Sequence, residues 1–225
     1  MNRRALLQWS VASTSLWGAR WAVAGMREDL RTAIIRDSDL QVRELLQKGV
    51  DPNSRDHSGF PALVQATQLE SWRALNELLG RKNIRLDEKN SVGESALMLA
   101  CIKGHLALVQ KLLDRGASIN HPGWAPLHYA ASANTKHSDA IVELLLERYA
   151  YVDAESPNKT TPLMLAAQYG SQAMVDALLD AGADVQLRNQ QGLSAVDFAQ
   201  LSGRQFMVDR LRQAYEATRK PKASW

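Results

Sequence analysis

Cysteine is almost absent from this chain of 225 residues, Cys101 being the single thiol. One cysteine cannot close a disulfide within the chain, nor can it build a Cys-based zinc pattern. Burial of apolar surface must hold the fold instead, which a chain of this length can manage without staples. Aromatic rings are scarce as well, at 6% of residues, and Trp9, Trp17 and Trp21 all fall in the first 24 positions. The remainder has few large rings around which to build one deep core, and suits a thin, modular body. Net charge is equally small. The formal +3 lies in Arg3, Arg4 and Arg20, because residues 1–24 hold no acid; setting these three aside leaves 24 basic against 24 acidic residues. A balanced surface exerts no strong pull on phosphate, so no nucleic-acid partner is expected.

The first 24 residues differ in kind from the rest. A basic start at Arg3-Arg4 leads into a mildly apolar stretch, Ala5 to Gly18, broken by Gln8, Ser10, Ser13, Thr14 and Ser15, and Ala22-Val23-Ala24 offers a small-residue cleavage site before Gly25. These are the three parts of a secretory signal. The stretch is too short and too polar to span a bilayer, which takes about 20 consecutive apolar residues. No stable membrane span is expected once the signal is removed. Arg3-Arg4-Ala5-Leu6-Leu7 also resembles the twin-arginine export signal, with Asn2 and Gln8 departing from its usual residues. Twin-arginine and general secretory export both stay open, and an Arg-rich, acid-free segment is also compatible with a mitochondrial-type presequence. The expectation is a signal peptide at 1–24 and a mature body in a bacterial periplasm or outside the cell.

Beyond Gly25 the chain repeats itself. Leu30, Leu63, Leu97, Leu127, Leu163 and Val196 stand at intervals of 33, 34, 30, 36 and 33, and three residues after each stands Ala33, Ala66, Ala100, Ala130, Ala166 or Ala199. A second pattern follows in each repeat, with Val42/Leu45/Leu46, Leu75/Leu78/Leu79, Val109/Leu112/Leu113, Val142/Leu145/Leu146, Val175/Leu178/Leu179 and Val208/Leu211. Apolar residues at i, i+3 and i+4 share one helical face, which must pack on a neighbouring repeat. Lys48-Gly49-Val50, Arg115-Gly116-Ala117 and Ala181-Gly182-Ala183 close three of these helices with the glycine that a left-handed helix end favours.

The elements Ala125-Pro126-Leu127-His128-Tyr129-Ala130-Ala131, Thr161-Pro162-Leu163-Met164-Leu165-Ala166-Ala167, Gly104-His105 and Gly116-Ala117-Ser118-Ile119-Asn120 resemble those of the ankyrin-repeat family. The resemblance covers about residues 26–215 and matches the ankyrin period of ~33. It implies an all-α ankyrin-repeat solenoid, helix-turn-helix units joined by hairpin-like loops, in about six repeats: 26–58, 59–92, 93–122, 123–158, 159–191 and 192–215. Residues 216–225 are expected to form a flexible tail. Proline fits the first helical turn, where its missing N–H would be unpaired anyway, and small alanines let short helices pack closely. Departures are local. The third interval is short at His121-Pro122-Gly123, the fourth carries three extra residues around Asn134-Thr135-Lys136-His137, and Phe60-Pro61-Ala62-Leu63 with Arg81-Lys82-Asn83-Ile84 points to a distorted hairpin in the second repeat. Insertions in such stacks map to loops, often on a binding face.

Catalytic constellations do not assemble. His128 and His105 fall at packing and capping positions, whereas His57, His121 and His137 lie in separate loops, and no two histidines stand at i, i+4 to start a zinc site. Cys101 takes the second alanine position of its motif and acts as a small apolar residue. Asp51 with Asp56 and Asp184 with Asp197 are loop acids of the repeat rather than a positioned acid and base. Neither catalysis, cofactor nor metal is expected.

The family resemblance implies binding of another protein by the hairpin tips and outward first-helix positions lining the concave side. Carried over, those positions are Phe60, Gln65 and Gln68; Val92, Glu94 and Lys103; Trp124, Tyr129 and Ser132; Lys159, Thr160 and Tyr169; and Leu193 and Phe198. Among these rings Trp124 is the leading anchor, since aromatic side chains dominate the energetics of interfaces; Phe60 and Phe198 could equally fold back as core. The expected function is an exported, non-catalytic binding module, monomeric on its own, that acts on a periplasmic or extracellular protein as accessory or inhibitor. A protective or chaperone-like factor for an exported enzyme, for example in oxidative-stress defence, is the alternative, and a host-directed effector a weaker one.

Overall fold

The computed structural model describes residues 25–219. The signal expected at 1–24 and the last six residues lie outside the described residues. Within them the chain forms twelve helices and no β-strand beyond the isolated bridges Arg55↔Pro61 and Lys89↔Ser95. The described residues divide into two compact segments, with the boundary between Ala96 and Leu97.

In the first segment, α1 (25–35) and α2 (Asp39–Gln47) form one helix pair and α3 (Ala62–Gln68) and α4 (Trp72–Leu79) the next. Leu30, Ala33, Ile34, Val42, Leu63, Ala66, Leu75 and Leu78 form its core, each almost fully buried. These are the repeating apolar positions of the sequence, so the i, i+3, i+4 stripe does face inward. Polar groups then fix the spacing between repeats. Asp37 Oδ1 accepts the backbone N–H groups of Arg73 (2.8 Å) and Ala74 (3.0 Å), so a carboxylate from one repeat satisfies the open first turn of the next repeat's second helix. Asn53 donates to the Asn83 carbonyl at 2.9 Å and accepts the Arg85 N–H at 2.7 Å. The turn that follows α4 departs from the others. No residue of 81–84 adopts positive φ, whereas Gly49, Gly116 and Gly182 do at the corresponding helix ends.

The second segment continues with α5 (Ala96–Ile102), whose first residue still belongs to the first segment, then α6 (Leu106–Asp114), α7 (Pro126–Ser132) and α8 (Ser138–Glu147). It ends with α9 (Pro162–Tyr169), α10 (Gln172–Asp180), α11 (Ala195–Leu201) and α12 (Gln205–Arg219). The first helices pack in the order α7, α9, α11, and the second helices α6, α8 and α10 pack likewise. Each first helix is started differently. Thr161 caps α9 through the Met164 N–H with Pro162 at the first helical position, and Ser194 and Asp197 cap α11 reciprocally. α7 has only Ala125 at its cap, and there the His128 ring accepts the Ala125 N–H at 3.1 Å. The last helix runs to Arg219, so residues 216–219, placed in a tail by the sequence reading, are helical. Glu216 and Ala217 are strong helix formers, and Pro221 is the first breaker beyond them.

Candidate protein-binding face

Of the residues expected to meet a partner, Phe60, Gln65, Gln68, Val92 and Glu94 belong to the first segment, Gln68 being exposed at the end of α3. Gln65 is only 8% exposed and cannot offer its side chain to a partner. It lies on the inner side of α3, beside a narrow gap lined by Leu30, Ile34, Phe60 and Ala62. Phe60 is half-buried at the same gap, its N–H held by Asp56 Oδ1 at 2.9 Å. Glu94 is half-buried and tied into its own turn, accepting from Asn90 Nδ2 at 2.9 Å and donating its N–H to Asn90 Oδ1 at 2.8 Å. Val92, at the tip of that turn, is 74% exposed.

The remaining nine belong to the second segment. Lys103, Leu193 and Phe198 are half-buried, and the Leu193 N–H is spent on Asn189 Oδ1 at 3.0 Å. Tyr169 is 50% exposed at the end of α9. Trp124 and Tyr129 come together. Trp124 is 40% exposed and meets the His128 ring edge to face, with centroids 5.3 Å apart and planes at 75°. With Tyr129 and Ser132 the pair lines a groove of about 230 Å³. His128 itself is buried; its Nδ1 accepts the Ala125 N–H, so its Nε2 carries the proton and donates to the Thr160 carbonyl at 3.0 Å. Burial pushes the His128 pKa down, and its hydrogen bonds to Thr160, Ala154 and Ala125 oppose that shift. The imidazole is a strut between two repeats, and its neutral ring supports the exposed Trp124.

The electrostatics of this face follow from the helix sequences. α7 (PLHYAAS) and α9 (PLMLAAQY) hold no Asp, Glu, Lys or Arg, and α11 holds only Asp197. That carboxylate is occupied by Ser194 and Arg188, which hold its pKa below the ordinary range. Charge collects on the second helices, where Arg148 pairs with Asp114 at 2.8 Å and Arg210 with Asp176 at 2.6 Å. An aromatic and amide face bounded by a charged one matches the core and rim of protein interfaces.

Among the described residues reactive groups do not converge elsewhere. Cys101 is fully buried and desolvation raises its thiol pKa far above neutrality, so no thiolate forms. Among the described residues no cluster of three His, Cys, Asp or Glu could hold a metal ion, and no helix is long and apolar enough to cross a membrane.

Two features of the second segment are missed by register alone. Tyr149 and Tyr151 are 86% and 70% exposed after α8, and Tyr149, at φ +64°, takes the helix-end place held elsewhere by Gly49, Gly116 and Gly182. Lys159, at φ +61°, likewise replaces a tip glycine. Aligning the repeats and asking which glycine is missing would have found both.

A stack of helix pairs whose inner helices α7 and α9 carry no charge defines a repeat-built binding protein. A family model described as ankyrin repeats (3 copies) matches residues 70–156 and 127–220, and the chain belongs to the ankyrin-repeat family. Such repeats are protein–protein interaction modules. The putative ankyrin repeat protein YahD of Escherichia coli (strain K12) is 32% identical over 148 residues, covering 63% of this chain and 73% of YahD. The human transient receptor potential cation channel subfamily A member 1 is 29% identical over 164 residues, 69% of this chain. The Xenopus tropicalis neurogenic locus notch homolog protein 1 is 32% identical over 167 residues, 67% of this chain. The match spans only 15% of the channel and 6% of the notch homolog. Among solved structures, a chain of the Bd0816 predatory endopeptidase from Bdellovibrio bacteriovorus in complex with immunity protein Bd3460 superposes with a TM-score of 0.70. It is 26% identical, and the match covers 82% of this chain and 97% of that one.

Proposed function

We propose that this chain is an exported, non-catalytic binding protein that docks on a periplasmic or extracellular enzyme through the inner-helix face of its second segment and restrains it. The observation that carries this reading is the Trp124–Tyr129–Ser132 groove on helices free of charge. A half-exposed ring braced by His128 has the form of an interface anchor, rigid before binding and with little entropy left to lose. The solved complex of an endopeptidase with an immunity protein supports an enzyme, and a hydrolase in particular, as the kind of partner. The basic start and Ala22-Val23-Ala24 site support export.

Co-purification of the full chain from its own cells, compared with Trp124→Ala, tests the binding half. The expected result is one dominant enzyme that Trp124→Ala loses, with its activity lowered when wild-type chain is added back. An enzyme that is instead protected from heat or oxidant, at unchanged activity, would replace restraint by the protective role. A reporter fused after Ala24 tests export. Cytoplasmic, uncleaved fusion protein would overturn that half.

A further inference from the structure

The hairpin tips carry an inconsistency that binding explains. Gly59, Gly93, Gly123 and Gly192 occupy the tip position at φ +76° to +88°, and at the fifth tip the same place is taken by Lys159 at φ +61°. A residue with a Cβ is disfavoured in the left-handed region, where glycine is not. The chain thus uses the easier solution four times and departs from it once. Strained backbone of this kind concentrates at functional positions.

The Lys159 N–H closes the turn onto the Ser156 carbonyl at 2.8 Å, as a glycine there would, but its exposed side chain gains nothing from its own fold to offset the strain. Among the described residues its ammonium makes no ion pair and no hydrogen bond; Glu155, on the same hairpin, is exposed and not paired with it. The neighbouring tip differs. Arg188 is already committed to the Gly192 carbonyl and to Asp197.

Lys159 also lies beside the groove. The next residue, Thr160, gives its carbonyl to His128 Nε2, the ring on which Trp124 rests. A Cβ added at Gly123 would meet Pro157 at 3.6 Å, so the tip bearing Trp124 and the tip bearing Lys159 lie side by side. A groove with room for one large side chain therefore stands next to an uncommitted cation, on helices that supply no other formal charge.

We propose that Lys159 and the Trp124–Tyr129 groove form a two-part receptor for a polypeptide segment of the partner in which a bulky apolar side chain stands next to a carboxylate. The groove takes the side chain and Lys159 takes the acid. This rests on the proposed binding role of the inner-helix face and names the chemistry that the face selects. A protein segment, rather than nucleic acid, is the occupant because one uncommitted cation beside the uncharged helices α7 and α9 cannot follow a phosphate backbone.

The full chain panned against a random peptide library on phage tests this. Enriched peptides should pair a large apolar residue with Asp or Glu within about three positions, the reach of one groove and one tip along an extended strand rising ~3.3 Å per residue. Binding of the leading peptide should fall about tenfold or more in Trp124→Ala, as for a buried interface anchor. In Lys159→Gln, which keeps the Cβ and removes the charge, it should fall roughly three- to tenfold, with no change for a peptide whose acid is made an amide, the coupling expected of a charge pair. Lys159→Gly should weaken the acidic peptide equally while raising the melting temperature. Enriched peptides without an acid, or Lys159 variants that bind the acidic peptide as tightly as wild type, overturn the receptor but leave the face reading intact if Trp124→Ala still weakens binding. Binding indifferent to Trp124→Ala overturns both, as does a library that yields no enriched sequence.

Discussion

The guanidinium of Arg204 reaches from the entry of α12 to the end of α9, where it donates to the carbonyls of Ala166 at 3.3 Å, Ala167 at 2.9 Å and Gly170. The Ala166 carbonyl also accepts the Gly170 N–H at 2.8 Å, and the carbonyls after it stand at a helix end, where no further turn supplies donors. Phe206 lies against the same guanidinium at 5.2 Å. Arg204→Ala should cost about 2 kcal/mol, the range for hydrogen bonds with a charged donor. In a protein of this size that is a fall of about 4–8 °C in melting temperature. Lysine cannot serve three carbonyls with the same planar fork, so Arg204→Lys should recover only part of the loss. Hydrogen exchange in α12 should rise first, because a terminal repeat contacts one neighbour only.

Gly104 and Thr135 are a second such pair. A Cβ at Gly104 would lie 2.0 Å from Thr135 Oγ1, and Gly104 has φ +73°. Gly104→Ala should therefore destabilise by about 2–3 kcal/mol, the upper part of the usual mutational range. Thr135→Gly in that background should relieve the clash and leave a strain of about 1 kcal/mol. Urea melts of the two single variants and the double variant check this. Simple additivity would show that the loop does not sit on Gly104.

This pair also shows where the sequence was readable and where it was not. The interval of 36 located the extra residues at Asn134–His137, and the period, the alanines and the i, i+3, i+4 stripes located the helix pairs. Residue identity fixes these because burial periodicity is a property of one helix. It says nothing about which loop rests on which turn, so Thr135 packing over Gly104 was not visible. Depth fails for the same reason. Gln65 and Tyr129 share one register position, but Gln65 is buried at the gap beside Phe60 whereas Tyr129 lines an open groove. Trp124 as an exposed ring was legible; the left-handed backbone of Lys159 and Tyr149 was legible only through the glycines at the equivalent places of other repeats, since nothing in a lysine or a tyrosine itself announces φ.

Asp153 holds the place that Asn53 and Asn120 hold in other repeats. Asn120 donates to the Tyr149 carbonyl and accepts the Tyr151 N–H, whereas Asp153 can only accept, from the Asp184 N–H at 3.1 Å. Burial raises the Asp153 pKa, the Asp184 hydrogen bond lowers it and the Asp184 charge raises it again. A carboxyl that is harder to ionise folded than unfolded leaves the native state less stable as pH rises through that window. Asp153→Asn should add about 0.5–1 kcal/mol at neutral pH, the worth of one hydrogen bond. The gain should shrink below pH ~4, where the unfolded carboxyl is protonated too. A variant no more stable than wild type at pH 7 would contradict this account.

His128 gives the opposite slope. Its folded pKa lies below the ordinary value because the ring is buried, a shift that the hydrogen bonds to Thr160, Ala154 and Ala125 only partly offset. Below the unfolded pKa of ~6.5 the unfolded chain takes up the proton first. The unfolded state then binds more protons than the native state, and stability falls as pH falls. The His128 contribution is thus fully present above pH ~7 and is lost progressively on acidification, until the native ring is also protonated. Protonation at Nδ1 would turn the Ala125 N–H acceptor into a second donor facing it, which breaks the start of α7 and loosens the brace beneath Trp124. Denaturant midpoints at pH 7.5 and 5.5 should therefore separate further in wild type than in His128→Asn. His128→Asn should itself lose about 1–3 kcal/mol at pH 7.5, the cost of leaving buried backbone groups unpaired. If the two midpoints move in parallel, the acid sensitivity of the fold lies in another group, and the neutral strut assigned to His128 is wrong.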